Sequence, residues 1–407
     1  MFEDKPHIIE PSRQIPIIEE VDLLVVGGGP AGICAALSAS RCGLRVLLAE
    51  RFNHLGGLWT GGLVLPLLAT HAVDENGTMK QAVFGIGAEI IERLRKMGMA
   101  DRDIDPIVDP EAAKYLFDRM MEEEGVRIFY NVWASNVIMD GNRIDCVVLE
   151  SKSGRVGVRG KMVVDTTGDG DIFAFTGEDF INLPYHIGLV HRLGNTDRID
   201  RSADGFTPAK SGKATPVPGV NWVNMRGENG SDGLDLYTLS DLTQSYRKQI
   251  WEQVQKMRSL PGYEQVFLVD TAAQLGVRVT RLLKGQYTLT IKDSMTFRRF
   301  KDVIGCCGSW RAIKYQDAVV KREDRPIWQI PLRSIIPVKT ENLLTAGRCF
   351  SYEAAHAEDG RIMSAAVVTG HAAGAAAVAA IQASSRVQNV PYTEVKRILL
   401  EQNAYLG

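Results

Sequence analysis

No C-x-x-C pair occurs among the six cysteines, which stand at positions 34, 42, 146, 306, 307 and 349. That spacing argues against the common iron–sulfur, structural-zinc and redox-dithiol arrangements. The adjacent Cys306 and Cys307 read as two ordinary reduced thiols. Excess charge of one sign is also lacking, since 47 Lys and Arg meet 49 Asp and Glu for a net charge of -2. Neither nucleic acid nor an anionic membrane is therefore an expected partner. Basic residues crowd together only at Arg298, Arg299 and Lys301, which reads as a solvated face. No apolar run predicts a membrane span. Residues 364–381 come closest, but they are alanine-rich and interrupted by glycine and histidine. The first twenty residues are acidic, contain proline and have no signal-peptide core, so a cytoplasmic protein is expected.

What the chain does have is a glycine turn in a telling place. The apolar run "DLLVV" (22–26) suits a strand buried on both faces of a parallel sheet. Gly27, Gly29 and Gly32 follow as G-x-G-x-x-G, enclosing Pro30 and Ala31, then a helix of small residues and a second strand, "RVLLAE", ending in Glu50. Gly27 permits the tight turn, Gly29 lets backbone approach a pyrophosphate, and Gly32 lets helix and strand pack closely. The helix start offers unpaired N–H groups and partial positive charge. An acid at this spacing would accept hydrogen bonds from a ribose diol, so Gly27–Glu50 reads as a dinucleotide site. Both FAD and NAD fit an acid here, whereas a 2′-phosphate would be repelled. The following "RFNHLGGLWTGG" tips the balance towards FAD, because Gly56 and Gly57 let Arg51 and its successors pass close to a longer cofactor.

From about residue 20 to 380 the chain resembles the FAD-dependent oxidoreductases of the glutathione-reductase-like flavoprotein superfamily. The segments that carry the likeness are the turn through "ERFNHLGGLWTGG", then "VVDTTGDGDIFAFTG", "AAQLGVRVTRLLKGQYTLT" and "ENLLTAGRCFSYEAAHAEDGRIMSAAVVTGHAAGAAA". The resemblance implies an α/β fold: a Rossmann-type FAD-binding domain with a parallel central sheet and a β-meander, plus an inserted α+β substrate domain. The implied boundaries are an extension over 1–20, the FAD domain over 21–170 and 335–385, the insertion over 171–334 and a tail helix over 386–407. FAD is expected to bind without a covalent link. Backbone at Trp133 and Ala134 is expected near the adenine, and Thr167, Gly168 and Asp169 at the end of the strand "MVVD". Gly347 and Arg348 stand where the superfamily has Gly-Asp beside the ribityl–pyrophosphate. Gly360 and Arg361 would begin a long helix aimed at the flavin pyrimidine ring. Trp59 and Thr60, with Gly61 and Gly62, are candidates for the isoalloxazine face. The family often carries a histidine shortly after its Gly-Arg; here Ala354 fills that place and His356 lies two residues on.

The residues also predict individual elements. "AAKYLFDRMMEEEG" (112–125) reads as an amphipathic helix and "VRIFYN" (126–131) as a strand. Hairpin turns are expected at Asp140-Gly141 and Ser153-Gly154. In the middle region, 202–219 reads as a polar, mobile loop or lid, and "LSDLTQSYRKQIWEQVQKMRSLPG" as a helix capped by Ser240. Arg278 and Arg281 could clamp a substrate carboxylate or flavin diphosphate, or brace the domain interface.

No second dinucleotide turn is present, so a fixed NAD(P)H domain is not expected, and "TTGDGD" does not match the Asp-Gly motif of aromatic hydroxylases. The functional expectation is a dehydrogenase or oxidase passing a hydride between a small organic substrate and flavin N5. His356, Trp59 and Arg278 are the candidate catalytic residues. Its electron partner is left open among oxygen, a quinone, a protein and NAD(P)H, as is homo-oligomer formation. Two other readings differ in class: FAD used structurally or in isomerase or hydratase chemistry, and tRNA modification. The tRNA reading would call for a basic surface.

Overall fold

The computed structural model describes residues 5–224 and 227–407. Its centre is strand β1 (Ile17–Val26), whose Leu23, Leu24 and Val25 have no exposure, as an almost wholly apolar run requires when both faces are covered. The strand begins at Ile17, inside the stretch read as an extension. Helix α1 (Pro30–Ser40) follows and returns the chain to β2 (Val46–Ala49). Helix α2 (Pro110–Glu123) starts with proline after Asp109, whose carboxylate accepts the Ala112 amide at 2.8 Å. That aspartate–proline cap places the start two residues earlier than helical periodicity alone suggests. Strand β3 (Arg127–Phe129) then joins β2 in parallel.

The meander is β4 (Trp133–Asp140), β5 (Arg143–Ser151) and β6 (Gly154–Asp165). Gly141 and Gly154 adopt positive φ in its two turns, which L side chains resist. The seven-stranded sheet runs β3-β2-β1-β6-β5-β4, with β7 (Leu343–Thr345) added beside β6. Strand β6 belongs to both halves. Gly154–Val158 pair antiparallel with β5, Gly157–Asp165 pair in parallel with β1, and Val163–Asp165 also pair in parallel with β7. This is the Rossmann-type sheet with meander expected from the sequence.

Helix α3 (Met363–Gln382) has the length and apolarity of a membrane span, contrary to the reading of residues 364–381. Every residue from Ser364 to Ala380 is nevertheless buried inside the protein. It packs on α1 because Gly370 and Gly374, one turn apart, leave room for backbone: a β-carbon at either would overlap the carbonyl of Ala31 or Ala35. The tail helix Tyr392–Glu401 packs on α3, and beyond it Gln402 bonds Ser38 and His371.

The insertion between β6 and β7 carries several small antiparallel sheets, two of which supply residues to the cleft. One holds Asn221–Val223, His191–Gly194 and Phe267–Thr271, and the other Tyr185–Gly188 and Gly276–Val277. A helix over Leu236–Arg258 covers them through Tyr246, Ile250 and Val254. Its cap is Asp235, which accepts the Thr238 amide at 2.8 Å, and not Ser240, whose hydroxyl donates back to the Leu236 carbonyl. The stretch 202–219 is strapped down: Phe206 stacks on Tyr263, and Lys213–Ala214 pairs with Trp222 and Asn221.

His191, His356 and His371 are all buried, and burial lowers each to about 4 from an ordinary value of 6.5. The unfolded chain therefore binds more protons below pH 6.5, and stability falls as the medium is acidified. Asp165, raised to about 6 by burial, acts in the opposite sense but is one group against three. The urea midpoint is expected to be lower at pH 5 than at pH 7, with a smaller drop in His371→Gln. An equal midpoint at the two pH values would show that these rings do not remain neutral in the folded protein.

Candidate functional site

A single cleft opens at the C-terminal edge of the parallel strands, where an open α/β sheet places its ligands. Val26 and Gly27 end β1, Ala49 and Glu50 end β2, and Thr166–Gly168 follow β6; all line it. Gly27 has φ +102°, and a β-carbon there would overlap the Thr166 carbonyl. Gly32 is not in the wall. It lies under the turn, where a β-carbon would overlap the Gly27 carbonyl oxygen. Gly29 differs from both, since a β-carbon on it would meet nothing within 4 Å. The space beside it is open cleft. Helix α1 begins at Pro30 with no side-chain cap, so its first amides remain available there, beside Pro30 and Ala31.

Glu50 fixes this turn from below. Its carboxylate accepts the Gly28 amide at 2.6 Å and the Phe52 amide at 2.8 Å. Burial raises its pKa, against the pull of those amides. The loop after it returns to the turn, with the Gly56 amide donating to the Gly28 carbonyl and Gly57 close to the Gly29 α-carbon. Both glycines have positive φ, which lets the "HLGGLW" loop close on the Gly28–Gly29 turn. Gly57, Leu58 and Trp59 line the cleft, whereas Gly56 and Thr60 support them from behind, Thr60 donating to the Leu55 carbonyl.

Two arginines flank the turn. Arg51 lies 5.2 Å over the Trp133 ring, with Ala134 beside it in the wall. Arg348, just after Gly347, donates to Asp169 at 2.6 Å and lies against Gly168. Burial pushes the Asp169 carboxyl upward, but Arg348 and Arg51 outweigh it and hold it below its usual value. Asp169 itself stands behind the wall and also accepts from Thr280. Thus the arginine at the superfamily's usual aspartate position carries its own counter-ion, and its Nε is buried with no hydrogen-bond partner.

At the far end Gly360 is packed on Tyr352, and α3 proper begins at Met363, with Ile362 at its uncapped start. Arg361, Ile362 and Met363 line the cleft. The paired arginines part company: Arg278 lines the cleft, while Arg281 bonds Asp171 and the Asp169 carbonyl, bracing the insertion on the core. His356 does not reach the cleft. It is fully buried, edge-on to Trp328, with neither ring nitrogen hydrogen-bonded. The short turn Ala354–His356 leaves Ala354 outside and turns the histidine into the core, which is why a family pattern shifted by two residues does not put it at the site.

Sequence reasoning missed most of the opposite wall, including Trp222, Asn224 and Trp310. None lies in a spaced motif, and Trp310 arrives from a distant segment. Gln274 fell within a segment that carries the resemblance, which was the one available signal. All six cysteines are free, and none lines the cleft.

A Rossmann-type sheet with an uncapped glycine turn, a ribose-placed carboxylate and a meander strand beside the cleft defines a dinucleotide-binding flavoprotein. The chain belongs to the family described as FAD dependent oxidoreductase, whose model matches residues 22–182 and 190–399. Membership of that family makes FAD, bound non-covalently, its cofactor. Among curated proteins it is similar to thiamine thiazole synthase of Aeropyrum pernix, 32% identical over 164 residues, or 36% of this chain and 54% of that one. It is also similar to digeranylgeranylglycerophospholipid reductase of Picrophilus torridus, 26% identical over 255 residues, covering 60% and 63%. The chain thus spans roughly half to two thirds of the length of these relatives. Among solved structures, p-nitrophenol 4-monooxygenase from Pseudomonas putida aligns over 94% of this chain and 86% of that one, with TM-score 0.48 and 14% identity.

The residues fit FAD on two counts: the open space at Gly29 before an uncapped helix, and the unpartnered buried Arg348 Nε. Gly27, Gly29, Arg51 and Arg348 would hold the pyrophosphate, and Glu50 the adenosine ribose. Gly29→Val is expected to fold with an unchanged apo melting temperature yet lose FAD, since its side chain fills only cleft. Gly32→Val is expected not to fold, since it drives the helix off the strand. Flavin content and circular dichroism of the two variants check this; full FAD occupancy in Gly29→Val would remove the pyrophosphate from that spot. Glu50→Ala should weaken FAD by about 1.5–3 kcal/mol in a titration of apoprotein, as for hydrogen bonds to a charged group.

Proposed function

We propose that the protein is a dehydrogenase or oxidase that passes a hydride between a small organic substrate and N5 of its flavin. The observation that carries this reading is the shared wall of the cleft. The nucleotide-binding edge supplies one side, and Gly188, Val190, Trp222 and Gln274 of the insertion supply the other. Bound FAD supplies a two-electron acceptor or donor; the chain supplies position, dryness and charge. Trp59 and Leu58 form an apolar floor, with the Trp59 indole N–H already donating to the Leu65 carbonyl. The first amides of α3 have no intrahelical partner and carry partial positive charge, and Met363 at that end lines the cleft. A helix start preorganised in this way favours the state in which negative charge has gathered beside it. No titrating side chain in the wall is assigned as acid or base; the proton released from an O–H or N–H would leave through water.

The test is anaerobic mixing of the FAD-loaded protein with hydroxy acids, sugars, amines and enones, following the visible flavin band. One class is expected to bleach it, and deuterium at the carbon oxidised should slow the bleaching. If no compound bleaches a flavin that dithionite still reduces and reoxidises normally, the hydride-transfer reading fails.

A further inference from the structure

The insertion-side end of the cleft has a chemical bias that the flavin does not explain. Three tryptophans stand in the wall, and every indole N–H is already used: Trp59 on the Leu65 carbonyl, Trp222 on the Leu63 carbonyl at 2.6 Å, and Trp310 on the Glu358 carbonyl at 2.8 Å. Trp59 is wholly buried against Phe117, so the apolar ring surface at this end is that of Trp222 and Trp310. Val64, Pro66, Leu68 and Val190 continue that surface.

The polar groups among these rings are mostly donors. The Gln274 amide nitrogen and the Arg361 Nε are buried with no hydrogen-bond partner. Arg278 lines the same end and adds positive charge there. Arg361 is held in place from three sides. Its Nη2 donates to Glu358 at 2.9 Å, and its guanidinium carbon lies 5.9 Å from the ring centres of both Tyr185 and Trp310. Tyr185 in turn donates to the other oxygen of Glu358, and Arg311 lies 3.5 Å from that carboxylate. Glu358 thus orients Arg361 from behind the wall; it does not line the cleft.

Carboxylates are confined to the other end. The only acids in the described wall are Glu50, which holds the Gly28 and Phe52 amides, and Asp171, which is paired with Arg281. An apolar chamber whose uncommitted polar groups are buried donors on arginine and amide is complementary to an acceptor that brings negative charge. Planar guanidinium groups match a carboxylate in particular.

Resting on the oxidoreductase reading above, we propose that the substrate is a monocarboxylic acid with an apolar or aromatic body, its carboxylate on Arg361 and Arg278 and its body against Trp222 and Trp310. Neither nucleotide nor second coenzyme is required to explain these donors.

The experiment uses the FAD-loaded protein at fixed ionic strength, titrated with benzoate, phenylacetate and hexanoate and with the three matching amides. Binding is read by perturbation of the visible flavin spectrum and by calorimetry. At least one acid is expected to bind about 10- to 150-fold more tightly than its amide, the span of one charge-assisted hydrogen bond. Arg361→Gln should abolish that preference and Arg361→Lys retain part of it, both with unchanged FAD content. The proposal is overturned if every amide matches its acid, if no acid binds up to its solubility limit, or if phenylphosphonate binds more tightly than benzoate. Loss of FAD from Arg361→Gln would place the arginine on the flavin and overturn it too. The wild-type comparison of acid with amide stands even if a variant does not fold. Wild-type protein that retains no flavin would sink the oxidoreductase reading itself, which is a different result from flavin-loaded protein that ignores carboxylates.

Discussion

Everything in this molecule depends on how closely α1 lies to its neighbours. The helix touches the strand turn through Gly32 and touches α3 through Gly370 and Gly374, and none of the three positions has room for a β-carbon. Backbone-to-backbone packing of this kind leaves the helix no freedom to tilt. Its first amides are therefore aimed at one spot, beside Gly29. A helix one side chain further from the sheet would have the same sequence motif and no anion site. The alanine-rich character of α1 and α3 follows from the same requirement, because larger residues on the facing sides would push the layers apart.

The charges around that spot are unequal in number and favour an anion. Arg51 and Arg348 share Asp169, so neither lies isolated in a buried site, yet the cluster keeps one surplus positive charge. A buried cation with a single counter-ion is held in register without being fully neutralised. Glu50 plays the complementary part by engaging backbone amides, which ties the acid to the turn it serves.

How much of this was readable beforehand follows from how local each feature is. The turn Gly27–Gly32, the acid at Glu50 and the pair Gly56-Gly57 act through backbone conformation within a few dozen residues, and all stand where their spacing implies. Arg278 and Arg281 could not be separated from sequence, because the chain between Gly276–Val277 and Arg281–Leu283 is irregular and obeys neither strand nor helix periodicity. His356 misled because a family pattern fixes a chain position, whereas a two-residue offset on a turn reverses the direction of the side chain. Trp222 and Trp310 reach the cleft only through long-range packing, Trp222 from a three-residue strand and Trp310 from a loop. No local pattern marks either.

Strand β6 has a consequence for how the chain reaches this state. Its parallel neighbours are β1 and β7, and the whole insertion lies between β6 and β7. The sheet cannot be completed by contacts close in sequence. β1 must wait for β6, and β7 must wait until the intervening residues have been made or compacted. Pairing of such distant segments carries its loop-closure entropy before any reward, so folding should be slow and late-committing compared with a helical protein of the same size. During synthesis the edge of β6 that β7 will cover stays open until the final sixth of the chain has emerged. A nascent chain of this design therefore presents the Val163–Asp165 edge of β6 unpaired while the whole insertion is being made, the stage at which chaperones meet such surfaces.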